Sequence, residues 1–157
     1  TCKLQFWNPL RMHPEYYERE TLDYETYHVV GLATPRSLDD PFFKFIPIRR
    51  GKLLDVGCGN GSFLFTAKKY GFEVYGIDFD IRSVEVAKLA FGLKNVFAMS
   101  LHDFVEFAKD RGLKFDVITF FEVLEHQDNP REFINDVKKL LKMEDTLQEA
   151  SLIGSVF

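Results

Sequence analysis

The chain has 157 residues, 46% of them hydrophobic and 17 of them Phe, so it is long enough to bury one core and too apolar to stay disordered. A formal net charge of -4 argues against a general electrostatic footprint for nucleic acid, and two cysteines, Cys2 and Cys58, are too few for a disulfide scaffold. No apolar run reaches the roughly 18 residues that a spanning helix needs, and residues 1–20 are charged throughout instead of being shaped like a signal peptide, which predicts a cytoplasmic protein with no membrane segment.

Residues 1–13 carry Phe6, Trp7 and Leu10 without a regular period, and Pro9 and Pro14 interrupt any long element. Pro14 suits the first turn of a helix running to about His28, a cap whose Tyr16, Tyr17, Tyr24 and Tyr27 serve either packing or a substrate lid. A looser stretch over residues 31–47 holds three of the six prolines and reads as a lead-in, with Asp39-Asp40-Pro41 marking a short helix start. Phe42, Phe43, Phe45 and Ile46 are then expected to pack beneath the main sheet.

From Lys52 the pattern becomes regular. Residues 52–56 form a short apolar strand, and residues 61–70 place Phe63, Leu64, Ala67 and Tyr70 on one helical face ended by Gly71. A second strand over 73–77 leads to Asp80, which can cap a helix running to Gly92. A third strand spans 95–98, and a helix over about 102–109 carries Phe104, Val105 and Phe107. The nearly unbroken apolar run 115–121 suits a central parallel strand covered on both faces. Asn129, Pro130 and Glu132 then form a helix start with Glu132 reaching back as in a capping box, and Phe133, Ile134, Val137, Leu140 and Leu141 follow on one face. Four strands alternating with helices imply an α/β fold, a Rossmann-like parallel sheet with right-handed crossovers, whose ligand binds beyond the carboxyl ends of the strands.

The stretch Leu53-Leu54-Asp55-Val56-Gly57-Cys58-Gly59-Asn60-Gly61-Ser62 decides which ligand. Three glycines in five positions allow a tight turn and close approach of a ligand to backbone. A dinucleotide fingerprint wants its third glycine where Ser62 stands, and Asp55 at the strand end would repel a pyrophosphate; with no lysine in the loop, a P-loop is excluded too. An acid there suits a ligand bearing a cation. The edge rule joins this loop to Asp78, to Met99, Ser100 and Leu101, and to the segment from Phe121 to His126. Asp78 lies near the roughly 20-residue offset from Gly57 at which an acidic side chain meets ribose hydroxyls, its competing role being to help Asp80 cap the next helix. His13, His28 and His102 have no metal-ligand spacing with one another or with the cysteines.

Together with Val-Tyr-Gly-Ile-Asp at 74–78 and Phe-Phe-Glu-Val-Leu-Glu-His at 120–126, the loop resembles a class I S-adenosylmethionine-dependent methyltransferase, of the type that acts on small hydroxylated or amine acceptors. The resemblance implies S-adenosyl-L-methionine as cofactor. Gly57, Gly59 and Gly61, with Cys58 and Asn60 between them, would border its methionine part, and Asp55 would help hold the ammonium. Asp78 would grip the ribose, Phe79 and Leu101 would flank the adenine, and Ser100 and Phe121 would complete the site. His126 is the candidate base and Glu122 a candidate for orienting cofactor or substrate. A binding module without turnover and a nicotinamide-dependent oxidoreductase are the competing readings, the second disfavoured by Asp55 and Ser62.

Both ends depart from this pattern. Residues 2–9 are similar to the segment joining a small zinc ribbon to the core in some members, yet a lone Cys2 holds no zinc, so no metal is expected. After Lys142 the family has a Gly-rich turn and a fifth strand, whereas residues 143–150 have helix-forming composition and no glycine. The C-terminal strands are therefore expected to be missing or altered. Codons for Met-Glu-Asp-Thr read in another frame contain Gly-Gly-Tyr, which makes a frameshift at Met143 one explanation. In a native tail, the last helix runs on to about Ala150 and residues 152–157 form an edge strand or loose end. The resulting division is 1–50 as cap and lead-in, 51–142 as cofactor-binding core and 143–157 as atypical tail. Expected partners are a small-molecule substrate, no nucleic acid, no membrane, and a second copy or other protein on an exposed sheet edge.

Overall fold

The computed structural model describes residues 25–37, 41–142 and 151–153. The expectations for residues 1–24, for Asp39 and Asp40, and for 143–150 and 154–157 lie outside the described residues. Within them the chain runs α1 (Glu25–His28), a 3-10 turn (Val30–Leu32), α2 (Pro41–Phe45), β1 (Gly51–Val56), α3 (Ser62–Tyr70), β2 (Phe72–Asp78) and α4 (Ile81–Phe91). It continues through β3 (Val96–Ala98), α5 (Leu101–Asp110), β4 (Val117–Thr119), a 3-10 turn (Leu124–His126), α6 (Pro130–Leu140) and β5 (Ser151–Ile153).

All strands are parallel, in the order β3-β2-β1-β4-β5. The register explains why the strand sequences lack polar alternation. Leu53 pairs with Val74 and Val117, and these three belong to the core on one face with Phe43, Phe63, Leu64, Ala67 and Val84. The next residue along, Leu54, pairs with Tyr75 and Ile118, which join Phe104, Phe115, Phe133 and Val137 on the other face. Successive side chains thus enter two cores, so both must be apolar. Helices α2, α3 and α4 cover the first face, and α5 and α6 the second.

Helix ends follow the local chemistry. Gly71 and Gly92 close α3 and α4 in the left-handed conformation, at φ 105° and 61°. Asp80 caps α4 by accepting from the Arg82 N–H at 3.0 Å, and Ser100 caps α5. Asn129 caps α6 by accepting from the Glu132 N–H at 3.2 Å. Glu132 does reach back, but it accepts from the Asn129 side-chain amide at 3.1 Å.

Two expectations are corrected. Strand β4 is shorter than the apolar run 115–121: the Asp116 carboxylate accepts from the Lys52 N–H at 2.6 Å, and Glu122 turns to φ 53°. The last helix does not run on past Leu141. It ends at Leu140 because Leu141 becomes extended and bridges Phe115, with the Lys142 N–H donating to the Phe115 carbonyl at 2.9 Å. The edge-strand alternative for the tail is met by β5, which lies parallel to β4 with Ser151 opposite Val117 at the edge of the sheet.

Candidate functional site

Strand order reverses between β1 and β4, and at their carboxyl ends lies a cavity of about 350 Å³. Its first wall is the turn from β1 into α3. Gly57, Gly59 and Gly61 all have positive φ, at 76°, 51° and 77°. The Gly57 and Cys58 N–H groups donate to the Ile77 carbonyl, at 2.8 and 3.0 Å, which lashes the loop to the end of β2. Asp78 extends that tie: one carboxylate oxygen accepts from the Gly59 N–H at 2.8 Å and the other from the Asp80 N–H at 2.9 Å. The Phe79 N–H adds a third backbone donor to this carboxylate. Burial pushes the Asp78 pKa up, against the pull of these backbone donors.

The remaining walls are the chain segments that follow the other strands. Phe79, Met99, Ser100 and Leu101 form the apolar side beyond β2 and β3, while Phe121, Glu122, Val123, His126 and Gln127 form the side beyond β4. Glu122 has the left-handed φ reached by no other non-glycine among the described residues, a conformation of about 1–3 kcal/mol in strain. It reverses the chain so that the 3-10 turn brings His126 back to the cavity, its N–H donating to the Val123 carbonyl at 3.1 Å. Nine of the expected residues therefore meet at one cavity: Gly57, Gly59, Asp78, Phe79, Ser100, Leu101, Phe121, Glu122 and His126.

Four others stand behind the wall. Asp55 is 4% exposed and accepts from the Thr119 hydroxyl at 2.6 Å; burial raises its pKa to about 7, against the Thr119 hydrogen bond and the nearby Arg36 charge. Cys58 is buried against Gly76, and desolvation together with the Asp78 and Asp55 charges pushes its thiol pKa up. Asn60 turns its side chain to accept from the Ser62 N–H at 3.2 Å. At Gly61 an added Cβ would stand 2.6 Å from Leu93 Cδ1 and 2.8 Å from Ala87 Cβ, so this glycine lets α3 approach α4.

Tyr27, which sequence offers as either packing or a substrate lid, lines the cavity with its ring against Gly59. Other residues at the site were not singled out by sequence. Asp80 and Ser83 also line it, although Asp80 reads in sequence only as a helix cap. Arg36 sits with its guanidinium 4.9 Å from the centre of the Phe121 ring and 5.7 Å from that of Phe63, held by donation of its own N–H to the Ser62 carbonyl at 3.3 Å. One cation therefore lies beside the buried Asp55 at the β1–β4 end of the cavity.

Residues 34–153 match a family model described as a methyltransferase domain. The ubiquinone biosynthesis O-methyltransferase of Bartonella tribocorum is 32% identical over 107 residues, which are 68% of this chain and 43% of that protein. Its counterpart from Cereibacter sphaeroides is 29% identical over 140 residues, 88% of this chain and 55% of the relative. The chain spans about half the length of the curated relatives it matches. Among solved structures, a SAM-dependent methyltransferase from Agrobacterium tumefaciens shares the fold at a TM-score of 0.50 and 18% identity, over 60% of this chain and 36% of that one.

Proposed function

The chain belongs to the class I S-adenosylmethionine-dependent methyltransferase family, and from that membership we propose that it binds S-adenosylmethionine in the cavity beyond β1–β4 and methylates a hydroxyl or amine of a small molecule. The observation that carries this reading is the pairing of Asp78 with the glycine turn. A carboxylate braced by backbone N–H groups lines a cavity whose floor lacks side chains at Gly57 and Gly59. That arrangement accepts ribose hydroxyls.

When bound, the cofactor supplies an activated methyl group on a sulfonium. The chain's own residues hold and orient it. Phe79, Met99 and Leu101 give the adenine apolar faces, and Asp78 takes the ribose. At the opposite end the charges of Asp55 and Arg36 answer the ammonium and carboxylate of the methionine part, Asp55 from beneath the loop and not by lining the cavity. Phe121, Val123 and Phe133 keep water from the reacting centre, and His126 takes the proton from a hydroxyl or amine acceptor while Glu122 orients it.

In this reading residues 1–50 act as cap and lead-in to the core at 51–142, the protein works in the cytoplasm on a small molecule with no nucleic-acid partner, and an exposed sheet edge is where a second copy pairs. The relatives' printed names, which say O-methyltransferase, make hydroxyls the first acceptors to try. Transfer of labelled methyl from S-adenosylmethionine to a panel of phenols, catechols and amines tests the proposal. Turnover with at least one acceptor is expected; a chain that binds the cofactor and methylates none of them would be a binding module instead.

A further inference from the structure

The described residues before α2 close one side of the cavity in a way the reaction itself does not require. Tyr27 lies with its ring against Gly59, where an added Cβ would come within 2.9 Å of Tyr27 Cε1. The next residue, His28, reaches α4: its Nε2 lies 2.5 Å from Asp80 Oδ2, with the two side chains only 10% and 18% exposed. The same Asp80 oxygen accepts from the Ser83 hydroxyl at 2.7 Å, and both Asp80 and Ser83 line the cavity next to Asp78. One carboxylate therefore serves as helix cap, cavity wall and anchor for the segment above it.

The segment beyond the anchor is thinly held by apolar contacts. No residue of the Val30–Leu32 turn is buried, and Val29, Val30 and Leu32 are 44%, 41% and 46% exposed. By contrast the opposite walls rise from strands whose side chains are almost fully buried. Segments with few buried apolar contacts open at low free energy while strands stay closed. Opening would lift the Tyr27 ring from Gly59 and uncover the turn that Asp78 braces.

We propose that residues 25–32 form a gate over the Asp78 side of the cavity, latched by the His28–Asp80 contact, and that the latch sets how long the cofactor stays bound. This rests on the reading of the cavity as a cofactor site. His28 is a positioning residue here: it acts through Asp80 and Tyr27 and takes no part in methyl transfer. A gate of this kind slows entry and exit together, so its loss changes rates more than affinity.

The test is the dissociation rate of S-adenosylhomocysteine from the full chain, followed by surface plasmon resonance, for wild type, His28→Ala, Asp80→Asn and the double variant. Asparagine keeps the helix cap and removes the charge from the latch. Dissociation about tenfold faster in each single variant is expected, with no further gain in the double, because both break one interaction. Hydrogen exchange checks the fold, with amides of residues 25–32 exchanging faster in the variants and those of β1 and β2 unchanged. Binding by wild type with unaltered dissociation in the variants overturns the gate and leaves the cofactor site standing. Independent, additive effects also overturn it. Absence of any binding to wild type overturns the cofactor site, and the gate with it.

Discussion

Asp55 is the residue whose chemistry differs most from what its place in the motif implies. Burial raises its pKa from 3.8 to about 7, so the folded state binds a proton that the unfolded state releases between those values. Its contribution to stability is fully present below pH 3.8, declines as pH rises towards 7, and stays constant above, at about 1.4 kcal/mol per pH unit in between. Urea denaturation at pH 5 and pH 8 should therefore show a smaller difference for Asp55→Asn, which can still accept from Thr119, than for wild type. Equal differences would remove Asp55 as the cause. The glycines separate in the same way. Gly61→Ala should cost about 2 kcal/mol or more, since a left-handed φ is combined with contacts of 2.6 and 2.8 Å to Leu93 and Ala87. Gly92→Ala, with φ 61° and open space around the added Cβ, should cost only about 1 kcal/mol. Equal losses in urea denaturation would show that packing against α4 is not the reason for Gly61.

At the scale of elements, the proposed function divides the labour between the glycine turn, which would hold the cofactor, and the 3-10 turn after β4, which would serve the reaction. His126→Ala should lower kcat by roughly 10²–10⁴ while leaving the cofactor Kd unchanged, if this side chain removes the acceptor's proton. A fall in affinity with kcat intact would assign the 3-10 turn to cofactor binding instead. The strands and the helices α3 to α6 were legible in sequence because each carries a full apolar face between capping residues: Asp80, Ser100 and Asn129 begin helices, and Gly71 and Gly92 end them. What sequence could not resolve was which residues of a motif face inward. Cys58, Asn60 and Gly61 share the glycine turn with Gly57 and Gly59, yet pack against Gly76, cap α3 and admit α4. Arg36 was hidden for the opposite reason: it reaches the site by tertiary contact from a segment with no periodic pattern of its own. Leu141 likewise has a helical spacing that its bridge to Phe115 overrides.

For the whole molecule, the sheet order and the C-terminal edge rule do most to determine function. Placing β1 between β2 and β4 brings residues as far apart as Gly57, Asp78, Leu101 and His126 to one cavity, and no local signal is needed for that convergence once the strands are parallel. The basis for a methionine-and-ribose ligand over a dinucleotide is electrostatic, since Asp55 and Asp78 put two carboxyl groups beside the turn and Arg36 supplies a nearby cation. Calorimetric titration with S-adenosylmethionine and, separately, NAD tests that claim most directly, using wild type and Asp78→Ala. The account predicts binding of S-adenosylmethionine, no binding of NAD, and an affinity at least about tenfold weaker in Asp78→Ala. Binding of NAD with none of S-adenosylmethionine, or an S-adenosylmethionine affinity untouched by Asp78→Ala, would contradict it.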